Sequence, residues 1–304
     1  MTVYQQAVKE LQTIRDFLRF GESLMRQCDV SCGHGFAEPW DEVVALVLHA
    51  LHLPNDCDNR ILDSKLVHSE RKAVIKLLKQ RAEKKIPTAY LIQEAWFADL
   101  AFKINANVLI PRSPIAELIE AQFQPWLMPS LSQPKILDLC TGSGCIGIAC
   151  AVHIPDAEIT LSDISRAALA IAKQNCQRLG VTERVSIIQS DLFEAIPLQQ
   201  FDLIISNPPY VNETEYSELA AEYSHEPKLA LTAGENGLAI VKRILATAKQ
   251  YLSANGVLIA EVGNAEQDLI NAYPNLPFQW LEFARGGQGV FLLTRTDLDQ
   301  VNEW

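Results

Sequence analysis

The tetrapeptide Asn207-Pro208-Pro209-Tyr210 contains the residue types needed to hold a planar nitrogen. An asparagine side-chain oxygen and the carbonyl of the proline after it can accept both hydrogens of one NH2 group. A tyrosine ring can lie against the plane so formed. An amide or amino nitrogen held in this way meets an electrophile in one orientation, and orientation supplies a large part of a reaction's acceleration. The prolines add stiffness, because proline lacks the backbone N–H and restricts the residue before it. The same four residues also read as a rigid turn, since proline pairs punctuate loops. The preceding run Phe201 to Ser206, FDLIIS, is short, apolar and ends in a small polar residue. It reads as a buried parallel strand, and open α/β sheets place their ligands at the carboxyl ends of such strands.

A second signature lies upstream, in KILDLCTGSGCIGIAC from Lys135 to Cys150. The strand Ile136 to Leu139 runs into Gly142, Gly144 and Gly147, and an apolar helix follows. This spacing is G-x-G-x-x-G and admits a dinucleotide. Asp163 closes another strand, Ile159 to Ser162, about 20 residues on, where a ribose-binding carboxylate belongs. Asp138 favours a different ligand. A carboxylate four residues before the first glycine sits badly beside a pyrophosphate and well beside the sulfonium or ammonium of S-adenosylmethionine. A third strand, Val185 to Gln189, ends in Ser190-Asp191-Leu192, which places Asp191 and Leu192 at an adenine. The backbone of Cys140, Thr141, Gly142, Ser143 and Gly144 is expected to wrap the methionine portion. Each acid alone also reads as a helix cap or a solvated side chain. Three acids at three successive strand ends, followed by Asn-Pro-Pro-Tyr, describe a cationic ligand containing adenosine.

The order DLCTGSGC, SDIS, SDLF, NPPY resembles the class I methyltransferases that modify planar nitrogens. Two subfamilies carry NPPY, the adenine-specific DNA methyltransferases and the protein-glutamine methyltransferases of the HemK-like family. Further stretches are similar to the glutamine group: Pro87-Thr88-Ala89-Tyr90, Leu109-Ile110-Pro111-Arg112, His225-Glu226-Pro227, Gly234-Glu235-Asn236-Gly237-Leu238 and Glu261-Val262-Gly263-Asn264. Within that group one branch modifies the GGQ glutamine of release factors, and another a glutamine of the third large-subunit ribosomal protein. Cys140, Cys145, PRSPIAEL from Pro111 to Leu118, and Gly33-His34-Gly35 with Pro39-Trp40-Asp41-Glu42 resemble the ribosomal branch. The resemblance implies an α/β, Rossmann-like fold: a mostly parallel seven-stranded sheet with a C-terminal antiparallel hairpin, plus a small helical N-terminal domain. It implies S-adenosylmethionine as methyl donor and no metal. Asn207, Pro208, Pro209 and Tyr210 take the catalytic role. Arg112 and Glu226 are expected near the substrate, with Arg112 meeting a carboxylate of substrate or methionine or else forming a structural salt bridge, and Glu226-Pro227 shaping the channel.

The elements that must position these residues follow from periodicity. Apolar spacing predicts helices at 3–20, 41–53 and 69–82, an N-terminal domain over residues 1–88. Residues 89–112 read as a β-hairpin linker carrying Trp96, Phe97 and Phe102, and 113–304 as the catalytic domain. A helix at 237–252, a strand at Gly256 to Val262 and a hairpin of Phe278 to Phe283 with Val290 to Leu293 complete it. Gly286-Gly287-Gln288-Gly289 repeats the GGQ triplet but reads as the turn of that hairpin, because glycines tolerate positive φ.

The 304 residues suit two domains, and a hydrophobic fraction of 48% is that of a globular chain. No apolar run reaches the roughly 18 residues of a membrane span, and the amphipathic start does not read as a signal peptide. Seven cysteines without C-x-x-C pairs imply reduced thiols in a cytoplasmic protein and no metal site. Residues 1–100 hold 13 basic and 14 acidic side chains, and the rest hold 13 and 23. A catalytic half of this sign repels duplex DNA and attracts a basic ribosomal protein. One segment differs: Arg71, Lys72, Lys76, Lys79, Arg81, Lys84 and Lys85 crowd one helix, as a solvated face or as a contact for ribosomal RNA.

Overall fold

The computed structural model describes residues 1–127 and 132–299. The chain forms two compact units, Met1–Glu94 with Ala220–His225, and Ala95–Leu219 with Glu226–Trp304. The sequence predicts a helical part over residues 1–88. Here it runs to Glu94 and takes in a short segment from far downstream, whereas nearly all of the hairpin belongs to the second unit.

The first unit is built from α1 (Val3–Glu10), α2 (Ile14–Gln27), α3 (Pro39–Ala50), α4 (His68–Lys84) and α5 (Thr88–Ile92). The single helix expected at 3–20 is two. Thr13 Oγ1 accepts from the Asp16 N–H at 3.2 Å, and the Asp16 carboxylate accepts from the N–H groups of Thr13 and Gln12 at 2.8 and 2.9 Å. This reciprocal cap starts a new helix in the middle of a continuous apolar stripe. Its buried face, Ile14, Phe17, Leu18, Leu24 and Met25, follows helical spacing and packs on Val43, Leu46, Val74 and Leu78. Each such side chain contributes about 1.5–3 kcal/mol on burial.

The basic run on α4 divides in two. Arg81 is wholly buried, Arg71 donates to the carbonyls of Val8 and Leu11, and Lys85 donates to those of Cys28 and Asp29. Lys72, Lys76, Lys79 and Lys84 are exposed, with Lys79 also 3.6 Å from Glu83 and over the Tyr4 ring. Arg81 is therefore removed from any surface for nucleic acid.

The hairpin consists of β1 (Glu94–Phe97) and β2 (Leu100–Lys103), turned at Ala98-Asp99 with both φ positive. It is shorter than the expected 89–112. The Pro87 carbonyl accepts from the N–H groups of Tyr90 and Leu91, which makes residues 88–92 a helical turn instead.

After α6 (Ile115–Glu120), strands and helices alternate: β3 (Lys135–Leu139), α7 (Cys145–His153), β4 (Glu158–Asp163), α8 (Arg166–Arg178), β5 (Val185–Gln189) and β6 (Phe201–Ser206). Then come α9 (Glu213–Glu218), α10 (Ala239–Tyr251), β7 (Leu252–Glu261), α11 (Glu266–Ala272), β8 (Gln279–Trp280) and β9 (Val290–Thr294). The seven-stranded sheet has the order β5-β4-β3-β6-β7-β9-β8, parallel from β5 to β7 and antiparallel at β9 and β8. Alternate residues face opposite cores, as a doubly covered sheet requires. Ile136, Leu161, Leu203 and Ile259 pack with α6, α7 and α8, while Leu137, Ile204, Leu258 and Ala260 pack with α10 and α11. Gly286, Gly287 and Gly289 all have positive φ in the connection from β8 to β9.

The chain winds from β3 outward to β5 and returns to β6 on the other side of β3. Ligands bind where strand order reverses in this way. Leu139 pairs with Ser206, whose Oγ donates to the Leu139 carbonyl at 2.9 Å. The glycine loop after β3 and the Asn-Pro-Pro-Tyr segment after β6 therefore leave the sheet side by side.

Candidate active site

A cavity of about 220 Å³ lies at these strand ends, entirely within the second unit. Cys140, Thr141, Gly142 and Ser143 form one wall. Cys140 holds φ +58 and Gly142 φ +55, which turns the loop sharply off β3. Gly144 does not line the cavity. It caps α7 at φ +81, and a Cβ there would stand 2.6 Å from Ile148 Cδ1.

Asp138 is wholly buried beneath the loop and is not on the cavity wall. Its Oδ2 accepts from Thr141 Oγ1 at 2.5 Å and from the Gly147 N–H at 2.9 Å, so it shapes the loop. Its Oδ1 has no hydrogen-bond partner among the described residues. Burial pushes the carboxyl up to about 7, opposed by these two hydrogen bonds and assisted by the charge of Asp163.

Asp163 does line the cavity, at the end of β4. Its Oδ2 accepts from the Gly142 N–H at 2.9 Å and its Oδ1 from the Ser165 N–H at 2.8 Å. A carboxylate offers about four lone-pair sites, so acceptor capacity remains for hydroxyl groups. Burial raises its pKa, against the pull of those backbone donors. Asp191 and Leu192 follow on the same wall. Asp191 pairs with Arg243 at 3.0 Å, and Arg243, on α10, also lines the cavity.

Asn207 and Pro209 line the cavity from the β6 side. Pro208 is buried, and neither it nor Tyr210 is on that wall. The Tyr210 hydroxyl instead donates to Glu261 Oε1 at 2.8 Å, at the end of β7. Ser113 Oγ donates to Glu261 Oε2 at 2.6 Å. Burial raises the Glu261 carboxyl, opposed by the Ser113 and Tyr210 hydrogen bonds.

Of the two roles open to Arg112, the structure contains the salt bridge. Its Nη1 stands 2.9 Å from Glu226 Oε1, while Glu226 Oε2 also accepts from the Ile110 N–H at 2.9 Å. Glu226 is buried and not on the cavity wall, so it positions Arg112, which is on it.

The methyltransferase small domain family matches residues 124–234. The ribosomal protein uL3 glutamine methyltransferase of Francisella tularensis is 48% identical over 97% of this chain and 94% of its own. The chain belongs to that family. The Bordetella pertussis member is 43% identical over 96% of this chain and 98% of its own. Among solved structures, the catalytic domain of hMettl16 in complex with MAT2A 3'UTR hairpin 6 has a TM-score of 0.50 at 14% identity, covering 74% of this chain and 80% of that one. It shares the class I methyltransferase fold.

The site suits the donor such enzymes use. Two carboxylates and a loop with positive φ face a cavity whose remaining wall includes the apolar Ile146, Ile164, Ala168 and Ile240. Adenosine needs hydroxyl acceptors and apolar faces, and a sulfonium is favoured by nearby negative charge. Sequence reasoning missed Arg243, Ser113 and the role of Glu261. Glu261 carried a legible signal, since it is an acid closing an apolar strand like Asp163. Arg243 carried none, because an arginine on a helix is ordinary.

Proposed function

We propose that this enzyme transfers a methyl group from S-adenosylmethionine to the side-chain amide nitrogen of a glutamine in ribosomal protein uL3, the third protein of the large subunit. The observation that carries the reading is the placement of Asn207-Pro208-Pro209-Tyr210 at the sheet's switch point, beside the glycine loop, with Asn207 on the cavity. The names of relatives 43–48% identical over nearly the whole chain support this substrate. So does the acidic catalytic half, which is complementary to a basic protein.

An amide nitrogen is a poor nucleophile because its lone pair is delocalised into the carbonyl. Asn207 Oδ1 and the Pro208 carbonyl accept the two amide hydrogens, which returns electron density to nitrogen and fixes its direction. Tyr210, which is off the wall of the cofactor cavity, would hold the amide plane from the substrate side. S-adenosylmethionine, when bound, would supply an electrophilic methyl group on a sulfonium; S-adenosylhomocysteine would be the leaving group, and the methylated nitrogen would give up one of its two hydrogens as a proton. Asp163 would hold its ribose hydroxyls, Asp191 and Leu192 its adenine, and the Cys140–Ser143 backbone its methionine portion. All seven cysteines are free thiols, which supports a cytoplasmic setting.

Labelled S-adenosylmethionine with purified uL3 or an unmethylated release factor, followed by mass mapping, tests the reading. Label on one uL3 glutamine alone is expected. Label on the release-factor GGQ would replace the substrate, and label on neither would remove the function. Asn207→Ala should nearly abolish turnover and leave the cofactor Kd within a few-fold. Ribosomal RNA in an assembling particle is a further partner within this reading, through exposed Lys72, Lys76, Lys79 and Lys84. Reversing Lys76, Lys79 and Lys84 to Glu should weaken methylation of RNA-bound substrate and its salt dependence. An unchanged rate at several salt concentrations would remove this contact.

A further inference from the structure

Tyr210 is held on three sides. Its hydroxyl donates to Glu261, which is 6% exposed and uses both oxygens, the second toward Ser113. Ser113 is itself oriented, since its Oγ accepts from the Ile115 N–H at 3.2 Å. The ring packs on Gly263, at φ +47, where a Cβ would stand 2.6 Å from Tyr210 Cε2 and 3.0 Å from Cζ. The backbone leading to Gly263 is fixed in turn, because the Val262 N–H donates to the Gly289 carbonyl at 2.7 Å. Gly237 leaves no room for a side chain against the Tyr210 carbonyl.

Burying a carboxylate is costly, and a neutral group of similar size would pack here with less desolvation. What the carboxylate gives is a strong acceptor with two fixed directions, one for each hydroxyl. We infer that Glu261 is a positioning residue for methyl transfer: by holding the Tyr210 hydroxyl it sets the plane of the ring, and through the ring the orientation of the substrate amide. It rests on the glutamine-methylation reading and adds to it a residue that touches neither substrate nor cofactor. Misplacing a reacting group by about 1 Å costs roughly a hundredfold in rate, which sets the scale of the effect.

The test combines a double-mutant cycle with a direct view of Tyr210. Single-turnover methylation of uL3 at saturating S-adenosylmethionine, cofactor Kd, and the Cζ resonance of Tyr210 in protein labelled with 13C-tyrosine are measured for wild type, Y210F, E261Q, E261L and the double variants. Glu261→Leu should slow transfer about a hundredfold and Glu261→Gln about tenfold, with cofactor Kd within about twofold. In the Y210F background the Glu261→Gln cost should fall below about twofold, because the hydroxyl it acts through is gone. The Tyr210 resonance should move in E261Q. Additive losses, a cofactor Kd that worsens as much as turnover, or an unmoved resonance would each overturn the assignment. If E261L fails to fold, E261Q carries the cycle. If wild type fails to methylate uL3, the functional reading falls, while the resonance still reports whether Glu261 holds Tyr210.

Discussion

Both units bury charged side chains, and they hold them in opposite ways. In the helical unit, Arg81 donates to both oxygens of Glu42, to Glu222 at 2.9 Å and to the Ser31 carbonyl at 2.8 Å. Glu42 also accepts from Thr88 at 2.7 Å. Charge there is met by opposite charge. In the catalytic unit, Asp138, Asp163 and Glu261 are hydrogen-bonded mainly by backbone N–H groups and hydroxyls, and burial raises all three carboxyls. Arg112 with Glu226 and the more exposed Arg243 with Asp191 are exceptions. Paired buried charge ties segments together. Carboxyl groups held mainly by neutral donors resist ionisation, and such groups cluster where a protein does chemistry.

The largest effect expected from this contrast is on stability. Arg81→Met strands two buried carboxylates and should cost about 3–5 kcal/mol in denaturant unfolding. A cost below about 1 kcal/mol would mean that the pair is not structural.

Asp138 sharpens the contrast through pH. Its folded pKa, about 7, lies above the ordinary 3.8. The folded state therefore keeps this proton after the unfolded chain has lost it, and its contribution to stability falls as pH rises from about 4 to about 7. At 1.36 kcal/mol per pKa unit the loss is of order 4 kcal/mol. The stability difference between Asp138→Asn and wild type should shift by that amount across the window, in favour of Asn at high pH. A constant difference would show that Asp138 is ionised throughout.

Asp163→Ala gives the smallest of these effects. It should raise the cofactor Kd roughly ten- to a hundredfold by equilibrium titration, the loss of two hydrogen bonds to a charged group. Unchanged affinity would separate Asp163 from the ligand.

The strands were legible because each is a short apolar run bounded by turn residues; Phe201–Ser206 is β6 as read from the sequence. The loops of the site were legible because glycine and proline mark them. The partners of the acids were not. Asp138 stands near the glycines, but sequence does not show that Thr141 and Gly147 take one oxygen and leave it beneath the loop. Arg81 looked like its basic neighbours, since helical spacing alone does not show that Glu42 and Glu222 surround it. The break before α2 was hidden by an apolar stripe that runs through it, although Thr13 and Asp16 spell the cap.

The segment Ala220–His225 has a consequence for synthesis. Glu222 lies 141 residues after Arg81 in the chain. At about 5–20 residues per second, the helical unit waits roughly 7–30 seconds for its second counter-charge. β3 to β6 leave the ribosome within that interval. The first part of the chain to be made is thus not the first to be finished, and completion of the helical unit certifies that the strands carrying the catalytic segment have already been translated.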